Sequence, residues 1–231
     1  MNRDHQMTKP FIVSAQVISA IRPMERRDIR RVAQLHHAAM GNSLWAQLGK
    51  NFLERIYRAL IAHSSFLGFV YEEGDWIEGF IAGSEDTDNM MSEVFEQHFM
   101  SLGLAAGLGL FRQPTEALQI INKLRHTKSY FSQSNLDNIK IPAESLFCSF
   151  TPRTRGKRIS GHINKVLFDT LAFRGHNYVK ITTEQDNIGA NRQLQSWGFE
   201  IQKEFVFYEK EMVTYVLDLQ TSVRVEPHSH I

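Results

Sequence analysis

Apolar positions first group at Val17 to Ile21, which alternate loosely and stop at Arg22-Pro23, the pattern of a first strand behind a mobile leader ending near Phe11. Ile29, Val32, His36 and Ala39 then recur at helical spacing, and Gly41-Asn42 closes that segment with residues suited to a left-handed cap. Two further stripes, Phe52, Ile56, Leu60 and Leu53, Tyr57, Ile61, predict a second helix with a wide apolar face. Phe66 to Tyr71 and Trp76 to Ala82 are β-rich runs joined by Glu72-Glu73-Gly74-Asp75, so they read as an antiparallel hairpin.

From residue 84 to 142 the pattern changes. Phe95, Phe99 and Leu102 suggest one helix, Ala117 to Leu124 another, and Ser132 to Lys140 is polar enough for a loop. So long a stretch between strands reads either as an insertion that shapes a substrate site or as an inert connection. Its most apolar part, Leu102 to Phe111, reaches only about half of the ~20 residues a membrane span needs, which fits a core or pocket lining.

The last third is the most regular. Ser145 to Thr151 reads as a buried strand, Ser160 to Arg174 as a helix with Ile163, Val166, Leu167 and Leu171 inward, and Tyr178 to Thr183 as the next strand, together a βαβ unit. Ala190, Leu194 and Trp197 mark a short helix ending at Gly198, and Phe205 to Tyr208 with Met212 to Leu219 form a closing hairpin.

Composition narrows the function. At 231 residues the chain can hold one large domain or one domain with an insertion, and 26 Lys+Arg against 25 Asp+Glu leave no electrostatic footprint for nucleic acid or an anionic membrane. Any anion site must therefore be local. Cys148 is the one cysteine, which rules out an internal disulfide and fits a reducing compartment. The N-terminus carries no apolar stretch long enough for a secretory signal, so a cytoplasmic location is the expectation.

One loop breaks the neutrality. Thr151-Pro152 ends a strand, and Arg153-Thr-Arg155-Gly156-Lys157-Arg158-Ile159-Ser160-Gly161 leads straight into a helix. Unpartnered N–H groups and the positive end of the helix dipole attract anions at such a start. Four cations gather there, while Gly156 and Gly161 let backbone approach closely; the pattern suits a pyrophosphate, though basic loops are also ordinary surface features.

Downstream, Asn187-Ile-Gly-Ala190 follows a strand and Gly198-Phe199 follows one short helix. The pair of motifs resembles the GNAT superfamily of acyl-CoA-dependent N-acyltransferases, whose hallmark is Gln/Arg-x-x-Gly-x-Gly/Ala opening a helix, then Asn-x-x-Ala and Gly-Phe. The likeness covers roughly residues 16 to 219. It implies an α/β (mixed α+β) domain with a twisted, mostly antiparallel sheet of about six to seven strands flanked by helices. The helical insertion, 84 to 142, falls between the third and fourth strands, and a tail occupies 220 to 231. The match has departures. In one register Arg158 stands in place of the family's central Gly and Ser160 in place of its small residue; in the other, Gly156 is kept and the final small residue is lost to Arg158.

The resemblance further implies acetyl-CoA as co-substrate, held by the loop and helix start from Arg153 to Gly161, by Cys148, Ser149 and Phe150, and by Asn187, Ala190 and Leu194. Backbone N–H groups near Cys148 to Phe150 would polarise the thioester carbonyl if that strand splays from its neighbour. Glu144 looks like the position of the base in some members, the alternative being a solvated carboxylate at a strand start. Where the family often carries a Tyr acid, seven residues after Asn187, this chain has Leu194; Tyr208 or Tyr215 could act instead, or simply pack. Cys148, mid-strand among apolar residues, reads as a core cysteine rather than a nucleophile. His36 and His37 could line the acceptor site, one inward and one outward, and His228 with His230 lack a third ligand for a metal.

The resulting expectation is an N-acetyltransferase acting on a small primary amine. An amino sugar or sugar nucleotide is the first acceptor class and an amino-acid or peptide amine the second. No metal, nucleic-acid or membrane partner is expected, and a homodimer stays open. A non-catalytic acyl-CoA-binding or regulatory domain is the rival reading.

Overall fold

The structure, a computed structural model, describes residues 13–40, 44–110, 140–207 and 210–220. The stretch expected to be a first strand is instead a short helix, α1 (Ala15–Ser19), followed by strand β1 (Ile21–Pro23). Ser14 explains the difference: its hydroxyl accepts the Val17 N–H at 3.4 Å, an N-cap that an apolar alternation does not reveal. β1 keeps its Pro because it lies at a sheet edge.

The two stripes that follow fold as read, into α2 (Ile29–Ala39) and α4 (Lys50–Ala62), with the brief α3 (Leu44–Gln47) between them. The hairpin is β2 (Phe66–Glu73) and β3 (Trp76–Ser84), with Gly74 at φ +65° in its turn. The insertion opens with a 24-residue helix, α5 (Thr87–Leu110); the expected helix over Ala117 to Leu124, most of the loop from Ser132, the leader and the Gly41-Asn42 cap lie outside the described residues. No helix among the described residues is long and apolar enough to cross a membrane.

β4 (Glu144–Phe150), α6 (Ile159–Phe173) and β5 (Tyr178–Glu184) make the βαβ unit, and α7 (Ile188–Ser196), β6 (Glu200–Phe207) and β7 (Lys210–Asp218) complete the described elements. The seven strands form one sheet in the order β1-β2-β3-β4-β5-β7-β6, antiparallel throughout except where β4 meets β5. Helices cover both faces. On one, α2, α4 and α5 bury Val32, Phe52, Leu53, Ile56, Tyr57 and Met90 against Val70 and Phe80; on the other, α6 buries Ile163, Leu167 and Leu171 against Ile81, Val179 and Tyr215.

The first of these cores holds a histidine. His36 is fully buried, its Nδ1 2.7 Å from the Tyr57 hydroxyl, with Phe147 at 4.7 Å and Phe80 at 6.4 Å between ring centroids. Burial, reinforced by the neighbouring His37, pushes its pKa down to about 4 from 6.5. The native state thus refuses a proton that the unfolded chain takes up below roughly pH 6.5. Stability conferred by the neutral ring is complete above that pH and should drain away as pH falls to about 4, by about 3 kcal/mol. Denaturant unfolding measured across this window should show the loss in the native protein, and His36→Phe should flatten it; parallel curves for the two would contradict the assignment.

Candidate functional site

The sheet opens at one place. β4 and β5 run parallel and pair only at Glu144 with Lys180 and Ser145 with Ile181, after which their registers end. On its other edge β4 stays paired with β3 up to Phe150, but Ala82 faces Phe147 and Gly83 faces Ser145, so Leu146 is an extra residue. A bulge bends its strand and adds twist, and here it stands where β4 leaves β5. Gly83 permits it: a Cβ there would come within 2.9 Å of the Glu144 carbonyl and of Leu167.

Strand alternation says which amides the gap receives. Thr151 donates its N–H to the Glu78 carbonyl on β3 at 2.8 Å, so Ser149 shares that side, and the N–H groups of Cys148 and Phe150 point across towards β5. Ser149 uses its hydroxyl elsewhere, donating to the Leu35 carbonyl of α2 at 3.0 Å. The gap therefore offers two main-chain donors from β4, as the family resemblance implies for a strand that splays.

Beyond the gap lies the basic loop. Pro152–Thr154 form one 3₁₀ turn, Gly156 sits at φ +77°, and Arg158, the residue before α6, adopts the left-handed conformation at φ +56°. A non-Gly residue held there costs roughly 1–2 kcal/mol, which explains why glycine suits this position and why Arg158 departs from the pattern without blocking the turn. No Cβ obstruction surrounds Gly156. The first intrahelical bond is His162 N–H to the Arg158 carbonyl, so the N–H groups of Ile159, Ser160 and Gly161 precede any helical acceptor.

The loop's four cations are not equivalent. Lys157 is clasped by both Glu73 oxygens at 2.9 Å, and Arg153 reaches Glu78 at 3.4 Å. Arg155 and Arg158 are exposed and have no ionic partner among the described residues. Glu78 escaped the sequence reading. It is the extra residue of a second bulge, between Tyr71 with Gly79 and Glu72 with Ile77, and is only 5% exposed. Its carboxylate accepts the Thr151 hydroxyl at 2.5 Å while its carbonyl accepts the Thr151 N–H, which anchors the loop's entry. A charged residue inside the otherwise apolar run of β3 was the available signal.

On the far side, Asn187 caps α7 by accepting the Ala190 N–H at 3.3 Å and donates to Thr183 at 3.4 Å. Gln193 on α7 donates to the Ser160 hydroxyl at 2.9 Å, joining this helix to the start of α6. Leu194 and Tyr215 are buried in the α6-side core, and Tyr208 lies outside the described residues.

Glu144 occupies the closed end of the gap. It is 8% exposed, and burial raises its pKa above 4.5 against the opposing pull of Lys180, whose Nζ is 3.7 Å away. A carboxyl poised this way can accept a proton near neutrality more readily than a solvated one. Cys148 differs: burial lifts its thiol to about 12, with Asn164 as the opposing influence at 3.7 Å, so it stays protonated and unreactive. His36 faces the core and His37 is half-buried. No cluster of metal-ligating side chains occurs among the described residues.

No protein-family model matches the sequence, and no curated protein matches it significantly. Solved structures do match. An N-acetyltransferase from Staphylococcus aureus superposes with a TM-score of 0.55 at 14% identity, over 85% of this chain and 99% of that one. An acetyltransferase assigned to the GNAT family from Desulfovibrio desulfuricans gives 0.53 at 9% identity, over 87% and 98%. A Salmonella typhimurium protein described as an acetyltransferase, solved with acetyl-CoA, gives 0.52 at 12% identity, over 89% and 96%. With a seven-stranded sheet opened between β4 and β5 and these structural neighbours, the chain has the fold of the GNAT acetyltransferases.

Proposed function

We propose that the protein transfers an acetyl group from acetyl-CoA to the nitrogen of a primary amine. One observation carries this reading: the parting of β4 from β5 leaves main-chain donors facing a gap that ends at a basic helix start. A pantetheine arm is an extended chain with two amides, which the N–H groups of Cys148 and Phe150 suit as strand partners. Ile159, Ser160 and Gly161 would bind pyrophosphate through N–H groups, assisted by Arg155 and Arg158. Bound acetyl-CoA would supply an activated thioester.

The chain's own groups supply the remainder. Glu144 takes the proton of the incoming amine, and its burial keeps it basic enough for that task. A β4 amide polarises the carbonyl as negative charge develops on its oxygen. With Leu194 in the core, no side chain is assigned as acid for the leaving sulfur, and solvent protonates it. Positioning alone can lower such a barrier by several kcal/mol.

Arg155→Glu should weaken coenzyme A binding about tenfold, near 1.4 kcal/mol, in titration calorimetry, because an anion then faces the pyrophosphate; an unaltered Kd would remove Arg155 from the site. Glu144→Gln should lower kcat/KM at neutral pH about a hundredfold while leaving coenzyme affinity alone. In the native enzyme the rate should fall as acid protonates Glu144, at a pH above the usual carboxylate range. Persistence of that limb in the Gln variant would exclude Glu144 as base. Tight coenzyme binding without turnover on any amine would favour a regulatory acyl-CoA-binding domain.

A further inference from the structure

On the acyl-transfer reading, coenzyme A held at the start of α6 would approach the gap from the face that α6 covers, where Cys148 and Phe150 pack. The acceptor must then arrive from the opposite face, built by α2, α4 and α5, to which Leu146 and Phe147 of β4 contribute. α5, the start of the insertion, is tied to this place: the Thr87 N–H donates to the carbonyl of Pro142, two residues before β4, at 3.1 Å.

Two buried polar atoms here have no well-formed hydrogen bond among the described residues. Thr87 is fully buried and its Oγ1 makes no well-formed hydrogen bond, although the hydroxyl lies against the Glu144 carboxyl. Asp88 Oδ1 is likewise buried and unsatisfied, and its charge acts on Glu144. Lys180 supplies one ammonium, 3.7 Å from Glu144, against two carboxylates. Among the described residues the constellation is one cation short, and an unmatched buried acceptor is destabilising until something donates to it.

Beside these groups stands an aromatic wall. Trp45 lies 5.2 Å from Phe147 and 6.1 Å from Phe95 between ring centroids, and all three are only partly buried. Phe95 follows Asp88 by seven residues, two turns along the same side of α5 and about 10 Å away. Such rings favour a flat apolar body, whereas sugar hydroxyls placed there would lose water without gaining hydrogen bonds.

We infer that Thr87, Asp88 and Glu144 form the subsite for the acceptor's ammonium, and that the acceptor is a primary amine carried on a flat apolar body. This rests on the acyl-transfer reading above. The ammonium donates to Thr87 and Asp88 and passes one proton to Glu144. The N–C bond then forms as the C–S bond breaks; solvent takes the second proton lost by nitrogen and protonates the departing sulfur, and Glu144 returns its proton to solvent. The product amide is neutral, so it loses its attraction to Asp88 and leaves.

Calorimetric titration of 2-phenylethylamine and of glucosamine into the coenzyme-saturated protein, paired with acetyl-CoA thiol-release assays, tests this. The arylalkylamine should bind and react with a KM at least about tenfold below that of glucosamine. Asp88→Asn should raise its Kd and KM by a similar factor with coenzyme affinity unchanged, and Thr87→Val, which keeps the shape and removes the hydroxyl, should raise them as well. Melting curves of each variant establish that it is folded. Tighter binding of glucosamine, no binding of 2-phenylethylamine, or an unaltered affinity in folded Asp88→Asn would overturn the subsite. The same titration without coenzyme reads the subsite even if coenzyme A fails to bind, an outcome that would instead overturn acyl transfer.

Discussion

The feature on which the site depends is an interrupted hydrogen-bond ladder. β4 is held along its whole length by β3 and only at its beginning by β5, and the extra residue Leu146 turns the strand away just past the last shared pair. Main-chain donors that would otherwise be consumed in a sheet are left facing a gap, and unpaired donors away from water call for a partner. An extended arm bearing amides would satisfy that demand. Gly83 makes the bend possible, since any side chain there would collide with the Glu144 backbone and with Leu167. One small residue on β3 therefore governs the shape of β4.

Charge is distributed so that the loop is both held and left available. Glu73 and Glu78, from the two strands of one hairpin, bind Lys157 and Arg153, while Thr151 is fastened to Glu78 by two hydrogen bonds. Arg155 and Arg158 stay exposed, without an ionic partner among the described residues. Exposed pairs of this kind contribute little to stability on their own. Their role here is orientation of a loop that already carries two departures from ordinary backbone, at Gly156 and Arg158. At the other end of the gap the order reverses: Glu144 is buried, loosely paired with Lys180, and accompanied by unsatisfied acceptors on α5. On the proposed function, the ends that would bind an anion and accept a proton are thus separated by the length of β4.

Periodicity along the chain located α2, α4, the β2–β3 hairpin, β4, α6, β5, α7 and β7, most of which carry an apolar face of the right period, but it missed the four-residue α3 and the first five residues of β6, a strand that is largely exposed. It failed at Val17, where Ser14 and a single turn of capped helix produce the same loose alternation as a strand. The basic loop and the Asn187 and Gly198 spacings were legible for a different reason. Left-handed turns and helix caps restrict residue type locally, so they leave marks in sequence. In the structure Asn187 caps α7, bonded to Ala190 and Thr183, a role that the sequence pattern alone did not assign to it.

The sequence by itself determined the local facts: which segments bury an apolar face, where a helix start gathers positive charge, and that Cys148 lies within an apolar strand. Only the tertiary structure decided which groups meet. The bulge at Leu146, the bulge that turns Glu78 towards Thr151, the pairing of Glu144 with Lys180 and the approach of Thr87 and Asp88 to them all join residues separated by tens of positions. No local propensity encodes such distances. They follow from strand register and from the packing of two helical layers on one sheet, which are properties of the whole chain folded at once.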